Sequence, residues 1–189
     1  FSGDMLFAGG FSWINEAFRQ LVFDFRALDR YLREVQGAPQ VGVSGVSLGG
    51  YTSGLLAGLQ QDLAFAIPNV PLVSIPDLVL EWNPVASAAK LGMRLSGRSL
   101  ATLRRMTALH SPLSHDPLLP VERLMIIGGV GDRLAPPKHA RLLWEHWSRP
   151  RIHWFPGNHL MHLDQGDYLR QIAGFLSDIE FLPASARRV

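Results

Sequence analysis

The chain has 189 residues, 47% of them hydrophobic and 18% charged, which suits one globular domain with a sizeable core and excludes disordered and fibrous classes. The net charge is only +2 although the pI is about 9.4, and the cations form no stripe, so nucleic acid is excluded as a partner and Arg104-Arg105 and Arg187-Arg188 read as solvated surface. Cysteine is absent, which rules out a disulfide framework, a thiolate nucleophile and a Cys-ligated metal.

No apolar run reaches the length of a membrane span, roughly 18 residues or more. The chain opens Phe1-Ser2-Gly3-Asp4, without an initiator methionine or a signal-peptide pattern, and enters what reads as mid-fold material. The default localisation on this reading is cytoplasmic. Residues 1–13 are aromatic and glycine-rich and predict no regular element.

From Ile14 to about Val35 the positions Phe18, Leu21, Val22, Phe25, Leu28 and Leu32 recur at three and four residues, which predicts an amphipathic helix ended by Gly37-Ala38-Pro39. The apolar run Gln40-Val41-Gly42-Val43-Ser44 predicts a strand. Gly45-Val46-Ser47-Leu48-Gly49-Gly50 then reads as an abrupt turn into a helix rich in small residues. A second strand is predicted at Leu63 to Ile67, closed by Pro68-Asn69. The proline-punctuated stretch 71–120, with a helical part near Ser87 to Leu109, is too long for an ordinary connection and predicts a cap-like insertion.

A third strand at Leu124 to Ile127 runs into Gly128-Gly129-Val130-Gly131-Asp132. Pro136-Pro137 opens a helix through about Trp147, with Ala140, Leu143, Trp144 and Trp147 inward. A fourth strand, Arg151 to Phe155, empties into Pro156-Gly157-Asn158-His159. The last helix, near Asp164 to Phe181, turns Leu169, Ile172, Ala173, Leu176 and Ile179 inward. Alternating strands and helices predict an α/β fold, a mostly parallel sheet with helices on both faces. Ser47, Asp132 and His159 each follow a predicted strand and so emerge on the carboxyl edge, where working residues of such sheets gather.

The G-x-S-x-G turn between strand and helix, the Gly131-Asp132-Arg133-Leu134-Ala135-Pro136 loop and the Pro156-Gly157-Asn158-His159 loop, in that order, resemble the α/β-hydrolase superfamily over about residues 14 to 181. The resemblance implies a serine hydrolase acting on a carboxylic ester or related acyl substrate, a small molecule. Ser47 would be the nucleophile, His159 the general base and acid, and Asp132 the group orienting the imidazole, with Leu48 N–H as an oxyanion donor. It implies no metal and no cofactor. It also implies several strands ahead of the serine strand, where this sequence has one helix. The expectation is a chain lacking its N-terminal strands, or one in which Met5-Leu6-Phe7-Ala8-Gly9-Gly10 forms a strand and oxyanion loop.

Rival readings exist for each residue. Ser47 also fits a helix N-cap, although an N-cap does not ask for glycine two places earlier. Ser44 reads as structural. Asp77 and Glu81 are alternative acids, and His162 is the alternative base. His153 reads as packed or surface, His110 and His115 as cap or loop residues, and His139 and His146 as solvated. Trp82-Asn83-Pro84 fits a pocket wall or plain packing. A non-catalytic binding module, an acyltransferase and a peptidase are the alternative functions.

Overall fold

The computed structural model describes residues 10–82, 85–161 and 163–182. Its elements are α1 (Gly10–Glu34), β1 (Val43–Val46), α2 (Leu48–Ala57), β2 (Ala66–Asn69), α3 (Ile75–Glu81), α4 (Val85–Ser96), α5 (Leu100–Thr107), β3 (Met125–Gly129), α6 (Pro137–His146), β4 (Arg151–Phe155) and α7 (Gln165–Asp178). The strands form one sheet in the order β1-β2-β3-β4, and every pairing is parallel. Parallel neighbours need a crossover, and helices supply each one. Among the described residues no helix is long and apolar enough to cross a membrane.

Alternation along the strands divides the core. Ala66, Leu124 and Ile126 pack with Ala140, Leu143 and Trp147 of the α6 side. Ile67, Met125 and Ile127 join Phe155 and Phe175 of the α7 side. The inner strands β2 and β3 are buried throughout, as expected where helices cover both faces, while Ser44 and Val46 of β1 are exposed.

Several boundaries differ from the sequence reading for physical reasons. The helix α1 starts at Gly10, earlier than expected, and ends where Gly37 adopts φ 67 and Ala38 N–H donates to Leu32 O at 2.8 Å, a Schellman-type closure. Ile14 and Phe18 are buried, but Leu28 is 54% exposed because the packed face drifts around the helix to the half-buried Asp29, Leu32 and Arg33 and leaves Leu28 to one side. The strand β2 includes Pro68, which the sequence reading took as a terminator. Alternate residues of β2 address opposite neighbours: Phe65 and Asn69 carbonyls accept from β1 side amides, while Val70 N–H donates to Ile127 O. Pro68 therefore presents its missing N–H toward β3, and pairing with β3 shrinks to Asn69↔Ile127 and an isolated bridge Ala66↔Leu124. Between β2 and β3 the described residues form three α-helices and three short 3-10 turns rather than one helical stretch, with Gly97 at φ 65 separating α4 from α5. In α7, Leu169 is 54% exposed and Phe175 supplies the buried anchor instead.

A buried polar pair joins α1, α2 and the turn after α5. Tyr51 Oη lies 2.6 Å from His110 Nδ1, and the Phe18 ring stacks on the imidazole at 4.4 Å between centroids. With Nδ1 accepting from the tyrosine, the proton sits on Nε2, which is buried without a hydrogen-bond partner. Burial pushes His110 from 6.5 down to about 4 and raises Tyr51 well above its ordinary range. Unfolded His110 thus binds a proton between these values and the folded residue does not. The stability it contributes is present above pH 6.5 and is lost as pH falls toward 4, by about 3 kcal/mol. Melting curves at pH 7 and pH 4.5 should show a smaller acid loss for His110→Asn than for the wild type; equal losses would contradict this assignment.

Candidate active site

Strand β1 ends at Val46 and α2 starts at Leu48, so Ser47 alone makes the turn. Its backbone sits at φ 59, ψ −112, a sparsely populated region costing about 1–3 kcal/mol. Two hydrogen bonds hold it there: Ser47 N–H donates to Asn69 O at 3.0 Å, and Tyr51 N–H donates to Ser47 O at 2.9 Å. The hydroxyl makes no capping hydrogen bond, so the serine is not serving as an ordinary N-cap. Leu48 is the first residue of α2, whose opening amides have no intrahelical acceptor.

The sequence reading required glycine on both sides of the serine for lack of space. A Cβ on Gly45 would lie 2.5 Å from the Gly49 carbonyl carbon and oxygen, so that requirement holds there. A Cβ on Gly49 would meet nothing within 4 Å; the second crowded position is Gly50, at 2.6 Å from Asn69 O. Gly54 and Gly58 face Pro112 and His115 rather than the sheet. Gly45→Ala is therefore expected to destabilise by about 1–3 kcal/mol, since the obstructing atoms are backbone. Gly49→Ala is expected to be neutral or slightly stabilising. Thermal melts of the two variants check the contrast, and equal shifts would contradict it.

Asp132 lies in the turn after β3 with its side chain fully buried. Its Oδ1 accepts from Leu134 N–H and Ala135 N–H, each at 2.8 Å, and its Oδ2 is 2.7 Å from His159 Nδ1. An ionised carboxylate only accepts, so the Nδ1 proton is assigned to the histidine and Nε2 keeps its lone pair. His159 follows β4 in a loop shaped by Asn158, whose Oδ1 accepts from Leu160 and Met161 amides at 3.0 Å each. Gly157 adopts φ 137, where a Cβ would overlap the Met161 carbonyl oxygen. Its own carbonyl accepts from Gly131 N–H at 2.9 Å, and Phe155 O accepts from Val130 N–H at 3.1 Å. Backbone hydrogen bonds thus tie the aspartate loop to the histidine loop. Because all four strands are parallel, Ser47, Asp132 and His159 share the carboxyl edge. The structure brings Asp132 and His159 into contact; among the described residues no hydrogen bond joins Ser47 Oγ to either.

The rival acids sit elsewhere. Asp77 pairs with Arg104 and Ser74, and Glu81 pairs with Lys138, both on α3. Burial raises Asp77, but the hydrogen bonds from Arg104 and Ser74 outweigh it and leave the carboxyl below its usual range. Asp77, Arg104, Ser111, Lys138 and His139, with Leu113 and Leu142, line a cavity of about 410 Å³. His139, read from sequence as solvated, is 1% exposed; burial holds its imidazole below the ordinary value against the pull of Glu81. His146 is also not free surface, since Nε2 lies 2.9 Å from His115 O. His115 Nε2 is 3.0 Å from Leu109 O, and His153 Nε2 is 3.8 Å from Asp167 Oδ2. Ser44 Oγ donates to Ile67 O at 3.2 Å, a contact within the sheet. His162, Asn83-Pro84 and residues 5–9 of the proposed oxyanion loop lie outside the described residues. Among those described, no group of three or more His, Asp or Glu is placed to hold a metal ion.

Sequence reasoning missed Asn69. Its carbonyl fixes the Ser47 amide, and its Nδ2 donates to Tyr168 Oη at 2.6 Å, linking the serine turn to α7. A polar residue closing an otherwise apolar run was the available signal.

No protein-family profile matches the chain. The uncharacterized proteins MT2702 and Rv2627c of Mycobacterium tuberculosis (strains CDC 1551 / Oshkosh and ATCC 25618 / H37Rv) are each 36% identical over 141 residues, 74% of this chain and 33% of theirs. The chain thus spans about a third of the length of the curated relatives it matches. Among solved structures, a puromycin hydrolase matches at TM-score 0.61 and 14% identity over 82% of this chain and 24% of its own. An acetyl xylan esterase from Paenibacillus sp. R4 matches at TM-score 0.59 and 17% identity over 82% of this chain and 50% of its own. The Pyrococcus horikoshii acylaminoacyl peptidase matches at TM-score 0.54 and 15% identity, over 82% and 26% respectively. At such identities the likeness is one of fold: the chain has the α/β-hydrolase fold.

Proposed function

We propose that the protein is a serine hydrolase that cleaves a carboxylic ester or related acyl substrate through an acyl-enzyme on Ser47. The observation that carries this reading is the 2.7 Å hydrogen bond from His159 Nδ1 to Asp132, whose other oxygen is anchored by two backbone amides. It leaves Nε2 as the basic nitrogen. In the reaction, Nε2 takes the Ser47 hydroxyl proton as Oγ attacks the carbonyl carbon. The C=O electron pair moves to oxygen, and Leu48 N–H donates to that oxyanion. The tetrahedral carbon collapses, the leaving group departs with the proton from Nε2, and water then repeats the sequence on the acyl-serine. Asp132 stabilises the intervening imidazolium. The solved structures of like fold, named as a puromycin hydrolase, an acylaminoacyl peptidase and an acetyl xylan esterase, support acyl transfer to water as the reaction class.

A non-catalytic module of the same fold is the second reading, favoured by the open contact between Ser47 and His159. Catalytic hydrogen bonds are often loose before substrate binds, so this contact alone does not decide. Mixing the chain with p-nitrophenyl acetate separates the two. The proposal expects a burst of about one p-nitrophenol per chain before the steady state; a well-folded chain giving only the buffer rate supports the module.

A further inference from the structure

Between Glu81 and Asp116 the sequence has no acidic residue, yet it holds Lys90, Arg94, Arg98, Arg104 and Arg105, five of its 18 Lys and Arg. The remaining 13 face 16 Asp and Glu, net −3, so the whole positive excess of the molecule sits in this one stretch. Asp77 holds Arg104. Lys90, Arg94 and Arg98 are exposed and form no ion pair among the described residues. The sequence reading found no cationic stripe; helix α4 makes this one, because residues four apart share a side of a helix and Arg98 carries the row into the turn before α5. With Leu80, Met93 and Ser99 the three cations line a groove of about 420 Å³ between the end of α3 and that turn. No carboxylate lines it among the described residues.

The same helix carries an apolar pair on its outer side. Ala86 is buried and Ala89 and Met93 are half-buried, which marks the face of α4 turned to the protein. Leu95 lies nine residues after Ala86, about half a turn around the axis at roughly 100° per residue, and is 81% exposed. Leu91, one turn before it, is 57% exposed. A helix facing only water places charged and polar groups at these positions. Aliphatic side chains aimed outward beside a row of unpaired cations are the pattern that a lipid surface accommodates: the leucines leave water while the cations meet anionic headgroups. A nucleic acid would use the cations and leave both leucines in water. We infer that α4 docks the protein peripherally on anionic phospholipid, with Leu91 and Leu95 entering the boundary between headgroups and acyl chains and Lys90, Arg94 and Arg98 against the lipid phosphates. The docking is separate from the hydrolase reading, since none of Ser47, Asp132 and His159 lines the groove.

Co-sedimentation of the 189-residue chain with lipid vesicles tests the inference. Phosphatidylcholine vesicles with about 30% phosphatidylserine are expected to take up the protein at least about tenfold more strongly than phosphatidylcholine alone, and raising NaCl from about 0.05 to 0.5 M should release it. Each basic residue at an anionic surface contributes about fivefold in partitioning, so Lys90→Gln/Arg94→Gln/Arg98→Gln should bind about 100-fold more weakly. Leu91→Ser/Leu95→Ser leaves every charge in place and should weaken binding at least about tenfold. Arg26→Gln/Arg30→Gln, which removes exposed cations of α1, should leave binding within about twofold of the unsubstituted chain. All the replaced side chains are exposed, and circular dichroism identifies any variant that fails to fold, in which case the remaining α4 variant decides. No uptake by the phosphatidylserine vesicles overturns the docking. A loss per charge in the α1 variant equal to that in the α4 variant also overturns it, since the attraction then belongs to charge at large. Binding to a short DNA duplex, together with vesicle uptake that ignores the leucine substitutions, removes the lipid and gives the groove to nucleic acid.

Discussion

Ser47→Ala is expected to lower kcat about 10⁶-fold, because the covalent step disappears while substrate binding and the Leu48 amide remain. The fold should survive, since alanine keeps the backbone hydrogen bonds to Asn69 O and from Tyr51 N–H. A companion variant isolates the strain. At φ 59, ψ −112 the serine occupies a region that costs a residue with a Cβ about 1–3 kcal/mol. Ser47→Gly should therefore be as inactive as Ser47→Ala yet melt at a higher temperature, by about 2–4 °C for each kcal/mol relieved. A turn that stores strain to present a nucleophile predicts this trade of stability against activity. A lower melting temperature in Ser47→Gly than in Ser47→Ala would contradict it.

Asp132→Asn is expected to lower kcat about 10⁴-fold with little change in KM. The geometry gives the reason. Oδ1 accepts from two backbone amides, so the asparagine carbonyl oxygen must stay at that position and its NH₂ must face His159. An NH₂ group only donates, which forces the imidazole proton from Nδ1 to Nε2 and removes the lone pair that would accept the serine proton. The loss belongs to the chemical step, so kcat and kcat/KM should fall together. Steady-state kinetics of folded protein check this; a fall of less than tenfold would assign the acid role to another residue.

Most of the architecture was legible because it follows from short-range rules. The strand Arg151–Phe155 has the bounds read from its sequence, and the order of strand and helix elsewhere follows from periodicity and from Gly and Pro punctuation. What was not legible depends on neighbours. Pro68 reads as a stop, yet in β2 its missing amide costs only part of one ladder, which depends on which side β3 lies. Leu28 and Leu169 lie beside the packed face rather than on it: Phe25 and Leu32 flank Leu28 half-buried, and Tyr168 and Ile172 on either side of Leu169 pack on the core. His139 sits on a helix of ordinary amphipathic pattern, and its burial depends on segments distant in sequence, among them Val73, whose N–H donates to Nδ1 at 3.4 Å, and Glu81. At the site, the resemblance named Asp132 and His159 together, and the two loops that carry them follow adjacent parallel strands and are hydrogen-bonded to each other. Asn69 showed in the sequence only as a polar residue closing an apolar run, and its role could not be read from that. It holds Ser47 through a backbone carbonyl, a group every residue possesses.

The most direct measurement is covalent. Folded chain treated with a fluorophosphonate should gain one phosphonyl adduct, with peptide mass spectrometry locating it on Ser47, and the rate of labelling should collapse in His159→Ala and vanish in Ser47→Ala. An unlabelled chain with intact circular dichroism, or an adduct that persists without the Ser47 hydroxyl, would contradict the proposed nucleophile and leave only the fold in place.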